Sequence, residues 1–318
     1  MRIAPITKED SLLIVYARVR SARKRLGRKN NPRREIKEMS SRLTTILVIT
    51  LLAGNAWPQE IKKTDTPQAA TGTGSSNTTN ASNNPANPMI TVDLQNYFMP
   101  SPAGYSGRTG DLGYLRVSVP VDKFGLHQYI RTILPISTTP IVQGGPDTGA
   151  GDLTVYDLLL NQFRGTTIGA GPLIEAPTAR GIDYGPGKWQ AGAAGILLTP
   201  HTWGLLGVLP TYAHSFSGNS SSRAGQSLTV QPLVHYNFPR GLYFRSTGVW
   251  NFETYSHVDY IPVGLGGGKV WKRPNGDLIN LYFEPQYSVY ETGSTAPRWQ
   301  IYSGVTLKFP IGDKQTER

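Results

Sequence analysis

From Met89 to the carboxy-terminal end, apolar and polar residues alternate with a period of two. Arg298–Phe309 carries Trp299, Ile301, Ser303, Val305, Leu307 and Phe309 on one face, against Arg298, Gln300, Tyr302, Gly304, Thr306 and Lys308 on the other. In 278–290, Ile279, Leu281, Phe283, Tyr287 and Val289 oppose Asn280, Glu284, Gln286 and Ser288. Leu115, Val117, Val119 and Val121 alternate with Arg116 and Ser118, and Leu242, Phe244, Trp250 and Phe252 alternate with Tyr243, Arg245, Thr247 and Asn251. Successive side chains of a strand point to opposite faces, so this pattern predicts strands with one apolar and one polar side. Twelve are predicted, near 89–98, 114–122, 127–137, 151–161, 165–176, 188–198, 203–214, 226–238, 241–252, 257–271, 277–290 and 298–309.

Alternation alone also fits a soluble sandwich. Segment length points elsewhere: most segments run about 9 to 14 residues, as a tilted membrane-crossing strand requires, whereas strands of soluble domains run about 5 or 6. Charge points the same way. Arg116, Arg245, Glu284, Arg298 and Lys308 all fall on the polar face, where a wet interior tolerates them and lipid would not. With the last strand ending in the periplasm, the periplasmic connections are short: Asp122–Leu126, Gln162–Arg164, Thr199–Thr202, Pro239–Gly241 and Arg273–Gly276. Those at the other end include the long Pro100–Gly113, Thr138–Ala150, Pro177–Gly187 and Ser215–Gly225, and two shorter ones near 253–256 and 291–297. Short inner turns and long outer loops are the rule for such barrels. The expected fold is all-β, an antiparallel transmembrane β-barrel of about 12 strands spanning 89–310, or ten strands if the first hairpin lies outside the wall. Aromatics crowd strand ends (Tyr236, Phe238, Tyr243 and Phe244 around one turn, Trp299 and Phe309 on the last strand). This fits interfacial girdles, and core packing is the alternative.

The amino-terminal part reads differently. Met39-Ser-Ser-Arg, the apolar Leu43–Ala53 and Gly54-Asn55-Ala56 form a signal peptide over 39–56, cleaved after Ala56. The apolar run is too short to cross a bilayer as a helix. Residues 1–38 read as an upstream basic segment from a start site assigned ahead of Met39, or as a long basic leader. Residues 57–88, dominated by Ala, Thr, Asn, Ser, Gly and Pro from 66 on, read as a flexible periplasmic linker, and 311–318 as a periplasmic tail. The formal net charge of +11 suggests nucleic acid, but residues 1–38 hold 12 Lys/Arg against 4 Asp/Glu while 57–318 hold 19 against 17. The body is nearly neutral and no nucleic-acid partner is expected. The absence of cysteine excludes disulfides, thiolate metal sites and a cysteine nucleophile.

Two resemblances follow. Tyr302-x-Gly304-x-x-Leu307-x-Phe309 resembles the carboxy-terminal signal by which the outer-membrane barrel-assembly machinery recognises its clients, with Ile311–Arg318 following it here. RTILPIST (131–138), GDLTVYDLLL (151–160), GAGPLIEAPTA (169–179), GKWQAGAAG (187–195) and QPLVHYN (231–237) resemble the bacterial family labelled MetA-pathway of phenol degradation, often described as a transporter. The resemblance covers most of 89–309. It implies an outer-membrane barrel passing small organic molecules and supplies no binding residues.

Chemistry-bearing motifs are sparse. No G-x-S-x-G occurs. His214 with Ser215 and Ser217 is the one candidate for a Ser–His pair, and it motivates an outer-membrane lipid hydrolase as the least favoured reading. The histidines at 127, 201, 214, 235 and 257 lack metal-ligand spacing. No catalytic residue, cofactor or metal is expected. Gly264-Leu-Gly-Gly-Gly268 lies inside a strand pattern and marks a bend, a bulge or close packing in the wall. Asp152 and Asp157 face opposite ways on a regular strand, and Asp157, on the apolar face, belongs at the strand's wet end. The expected lumen lining is Arg116, Arg131, Lys188, Gln190, Gln231, His235, Arg245, Glu284, Gln286, Arg298 and Lys308. Mixed signs imply no strong ion selectivity. The expected function is a passive channel or facilitator for small organic, aromatic or hydrophobic solutes in the outer membrane of a Gram-negative cell. Its partners are outer-membrane lipids, the assembly machinery and a solute. The alternative is a closed structural barrel whose loops make the contacts.

Overall fold

A computed structural model describes residues 74–102, 109–123, 125–139, 147–218 and 224–311. The segments 1–38 and 39–56, residues 57–73 and nearly all of the 311–318 tail therefore lie outside the described residues. The chain forms helix α1 (Gly74–Asn83) and strands β1 (Met89–Pro102), β2 (Gly110–Lys123), β3 (Leu126–Thr139), β4 (Asp147–Ala150), β5 (Leu153–Phe163), β6 (Thr166–Ala176), β7 (Lys188–His201), β8 (Gly204–Gly218), β9 (Gln226–Asn237), β10 (Leu242–Ser246), β11 (Trp250–Glu253), β12 (Val258–Gly264), β13 (Gly266–Lys272), β14 (Leu278–Thr292) and β15 (Pro297–Pro310).

Every strand pairs antiparallel with its neighbours, and β1 pairs with β15 from Met89↔Pro310 to Phe98↔Ile301, which closes the sheet. Three wall strands are interrupted: β4 runs into β5 along β3, β10 into β11 along β9, and β12 into β13 along β14. The wall is thus a closed barrel of 12 strands. The first hairpin belongs to it, so the ten-strand alternative is excluded. Each predicted strand is present, and several run further at the long-loop end, where β1 reaches Pro102 and β8 reaches Gly218.

One end has short connections. Arg164-Gly165 is a two-residue turn with positive φ at both residues (50° and 80°), the geometry that matches the twist of a hairpin. Arg240 and Gly241, also at positive φ, turn β9 into β10. This is the periplasmic end in barrels of this kind. At the other end the 177–187 connection is pinned to β4 and β5. Arg180 N donates to Ala150 O (2.9 Å), Ala179 N to Asp152 Oδ1 (2.8 Å) and Arg180 Nη1 to Asp147 Oδ1 (3.0 Å). Hydrogen bonds from Tyr184 and Arg180 hold the Asp147 carboxyl below the ordinary carboxylate value.

The outward face is apolar. Leu94, Leu159, Ile168, Ile174, Leu197, Val234, Phe244, Val263, Leu281 and Phe283 are all exposed on it. A continuous belt of this kind is the surface a barrel turns to hydrocarbon. Aromatics rim it. At the short-turn end Trp203, Tyr236, Phe238 and Phe244 form a chain of ring contacts 4.8–6.1 Å apart, and at the other end Tyr287 meets Trp299 at 4.9 Å. Tyr243 departs from the expected girdle: it points inward and is 2% exposed. Phe283→Lys should destabilise the barrel by about 2–4 kcal/mol, the cost of a lipid-facing cation near mid-membrane. A fall in the temperature at which the folded gel band is lost would measure it, and an unchanged midpoint would mean that Phe283 does not face lipid.

Asp157 lies in the middle of β5, opposite Ile130, and not at a wet end. Its Oδ1 is buried with no hydrogen-bond partner. The β5–β6 pairs skip from Tyr156↔Leu173 to Leu159↔Ala170, because Pro172 has no N–H to offer there.

The expected linker 57–88 needs correction over its last part. Residues 74–83 are helical, and Thr79, Asn80, Ser82 and Ala86 are buried. Polar side chains that cannot build a core of their own are held here by partners on the barrel.

Candidate functional site

The barrel interior is the site, and it has two unlike halves. Inward faces of β1, β2, β10, β14 and β15 are polar and aromatic. At their centre lies a buried ion pair, Arg245 Nε–Glu284 Oε2 at 2.8 Å. Glu284 also accepts from Thr247 Oγ1 (2.7 Å), Thr247 N (2.8 Å) and Gln286 Nε2 (2.9 Å). The carboxylate is therefore saturated, the condition for a buried charge to be tolerated. Arg245 stacks over Tyr282 (3.9 Å) and Tyr302 (4.9 Å), and Tyr302 lies flat on Tyr97 with centroids 4.3 Å apart.

The glycine run makes this arrangement fit. A Cβ on Gly264 would meet Glu284 Oε1 at 2.8 Å, one on Gly266 would meet Glu284 Cβ at 2.6 Å, and one on Gly268 would meet the Tyr243 hydroxyl at 2.4 Å. Bare backbone on β12 and β13 thus lets the Glu284 carboxylate reach across to Thr247. Of the three expected roles for the run, close packing is what the wall displays.

On β5–β8 the middle of the inward face is largely apolar, and Leu233 of β9 joins it. Leu158, Leu173, Ala194, Ile196, Leu198, Leu205, Leu209, Ala213 and Leu233 form one buried cluster with Tyr129 and Tyr156. The expectation of a polar face toward the lumen therefore fails on these strands. Runs such as Ala193–Leu198 and Leu205–Leu209 are apolar on both faces, which is the signal that marks them.

The expected lining residues distribute as follows. Arg131 (5% exposed), Gln190, His235, Arg245, Glu284 (0%), Gln286 and Lys308 (1%) face inward and are buried. Arg131 donates to Ser118 Oγ (2.8 Å) and Tyr129 OH (3.1 Å), and Gln190 donates to Glu175. Gln231 reaches Thr247 O at 3.3 Å. Arg116 lies 4.8 Å over the Tyr114 ring, with its Nε buried and unpartnered. Lys188 stands at the outermost β7–β8 pair, opposite Gly218. Arg298 is exposed at the outer rim and pairs with Glu291 at 2.7 Å, so these two do not line the middle of the barrel. Tyr97, Asp93, Thr247, Glu175 and Tyr282 also belong to the interior, and of these only Thr247 stands on a polar face in the sequence reading. Tyr282 shares the parity of Glu284 on β14 and Thr247 that of Arg245, while Asp93 and Tyr97 on β1 and Glu175 on β6 alternate with the exposed apolar Leu94, Phe98 and Ile174.

The short-turn end of the interior is occupied by α1. Asn80 Nδ2 donates to His201 O (2.8 Å), Asn237 Nδ2 to Asn80 Oδ1 (2.7 Å), Gly241 N to Ser75 Oγ (3.1 Å), Asn280 Nδ2 to Asn83 Oδ1 (3.0 Å) and Lys308 Nζ to Asn84 O (2.6 Å).

In the residues of the assembly-signal resemblance, Tyr302 is buried inside while Phe309 is exposed outside. The suggested Ser–His pair is not formed. His214 and Ser215 are neighbours on β8 and point to opposite faces, Ser215 buried and His214 exposed. Ser217 is exposed, beyond the register shift that follows Ser215.

No protein-family model matches the sequence, and no curated protein matches it. Among solved structures, the COG4313 outer membrane channel from Pseudomonas putida F1 is similar in fold, with a TM-score of 0.51 and 15% identity over 70% of this chain and 96% of that one. The beta domain of the Bordetella autotransporter BrkA aligns with a TM-score of 0.35 and 15% identity over 69% of this chain and 100% of that one.

Proposed function

We propose that the protein is a passive outer-membrane channel for small organic solutes, aromatic or otherwise hydrophobic in part. The observation that carries this reading is the divided interior: the apolar cluster of β5–β9 faces the Tyr97, Tyr243, Tyr282 and Tyr302 cluster with its arginines. An amphipathic solute can lay its ring on the first and its polar groups on the second. The fold of the similar outer membrane channel and the resemblance to the MetA-pathway phenol-degradation family support it. No energy source is needed, since flux follows the solute's own gradient. Tyr302, Gly304, Leu307 and Phe309 serve barrel assembly in this reading, and outer-membrane lipid covers the apolar belt.

One observation favours a second reading. Glu284, Gln286 and Lys308 are sealed from solvent in this conformation, as in a filled barrel whose outer loops make the contacts. The two readings separate in a liposome-swelling assay with phenylalanine, a zwitterionic aromatic that lipid passes slowly, against arabinose. The channel reading predicts faster swelling with phenylalanine than in protein-free liposomes. It also predicts a preference over arabinose that drops in Leu209→Asn, which breaks the apolar cluster. Swelling equal to that of empty liposomes with both solutes would support the filled barrel.

A further inference from the structure

We propose that Arg116 and Arg131 form an anion-binding site at the seam between the two halves of the interior, and that the solute it takes is an aromatic ring bearing a carboxylate. This rests on the channel reading above and names the class of solute. The two arginines face inward from paired strands, Arg116 opposite Ile133 and Arg131 opposite Ser118. Ile133 packs against the apolar cluster. Tyr129 and Tyr156 belong to that cluster, and the Arg131 guanidinium lies 5.4 and 5.9 Å from their rings. Arg116 lies over Tyr114, which meets Tyr97 edge-on at 6.0 Å in the tyrosine cluster. The pair therefore stands where the two halves join.

The charge at this seam is unanswered. An arginine keeps its proton, and a buried cation is costly without an anion. Among the described residues neither Arg116 nor Arg131 has a carboxylate at ion-pair distance, whereas Arg245 has Glu284. Asp93, opposite Arg116 in the register, accepts from Thr306 Oγ1 at 2.6 Å and stands diagonal to Lys308. Glu175, three strands along the same row, is held by Thr154 (3.2 Å) and Gln190. Arg131 spends Nε and Nη2 on Ser118 and Tyr129, both neutral, and Arg116 Nε is buried with no partner. A carboxylate accepts two parallel hydrogen bonds from a guanidinium, and a ring attached to it can lie along the apolar cluster beyond Ile133. A neutral phenol would leave the charge unpaired, and an ammonium would be repelled.

The test titrates benzoate, ionised at neutral pH, and benzylammonium, a cation of similar size, into the heat-modifiable folded full chain in non-ionic detergent. Binding is followed by calorimetry, and the same preparations are recorded in a planar bilayer. The variants are Arg116→Gln, Arg116→Lys and, at the outer rim, Arg298→Gln. The unaltered barrel should bind benzoate saturably and at least about tenfold more tightly than benzylammonium. Arg116→Gln should weaken benzoate binding about tenfold or more, as loss of a charge-assisted pair does. Arg116→Lys keeps the charge without the fork and should fall between, and it carries the comparison if the glutamine variant does not fold. Arg298→Gln should bind benzoate as the unaltered chain does. Equal binding of the two probes, benzoate binding unmoved by the Arg116 variants, or no benzoate binding by a barrel that conducts would overturn the anion site and leave the channel standing. Silence from every folded form in the bilayer would overturn both.

Discussion

Replacing Glu284 with alanine should cost the barrel about 3–5 kcal/mol, the penalty for leaving one member of a buried ion pair without the other. The change strands more than the Arg245 guanidinium. Thr247 N, Thr247 Oγ1 and Gln286 Nε2 all donate to this carboxylate, and Thr247 is fully buried. The wall feels the loss directly, because Thr247 lies where β10 gives way to β11 and the carboxylate takes the place of a strand partner. Glu284→Gln keeps the shape and part of the hydrogen bonding, so its cost should be smaller. Thermal loss of the folded gel band, followed for the unaltered chain, Glu284→Gln and Glu284→Ala, should fall in that order. Equal midpoints for all three would remove the ion pair from any structural role.

Gly171→Val should prevent the barrel from forming. A Cβ at Gly171 would lie 1.7 Å from the Asp157 carbonyl oxygen on the adjacent strand, far inside any tolerable contact. The clash is with backbone, so no rotamer relieves it; β5 and β6 must part where Pro172 already leaves the ladder short of a donor. Overpacking of this kind should exceed about 3 kcal/mol. Gly195→Ala is the control, since its Cβ would come no closer than 3.3 Å to the Pro210 ring and 3.8 Å to Gly169 O. The expected result is a folded band for Gly195→Ala and none for Gly171→Val. A normal band from Gly171→Val would show that β5 and β6 do not approach as described.

The strand plan was legible because lipid outside and packed polar groups inside enforce a strict two-residue period, clearest on β14 and β15. Strand ends were read short where Gly, Pro, Ser and Thr carry no alternation, although backbone pairing continues through Ser137↔Leu112 and Trp189↔Ser217. Arg245 and Glu284 could each be placed inward from sequence, but their pairing depends on the room left by Gly264 and Gly266, which no local pattern encodes. The apolar half of the interior was hidden because a strand apolar on both faces does not alternate. Helix α1 was illegible for a deeper reason: its residues prefer other conformations, and the bonds that fold it come from Asn237, Gly241 and Asn280, all more than 150 positions away.

Single-channel recording of the folded full chain decides whether solutes pass through this barrel. Discrete conductance steps are expected, which a small aromatic solute shortens or blocks and an equal concentration of sugar leaves unchanged. Folded barrels that stay silent under every condition would mean that the interior is a filled core and not a path.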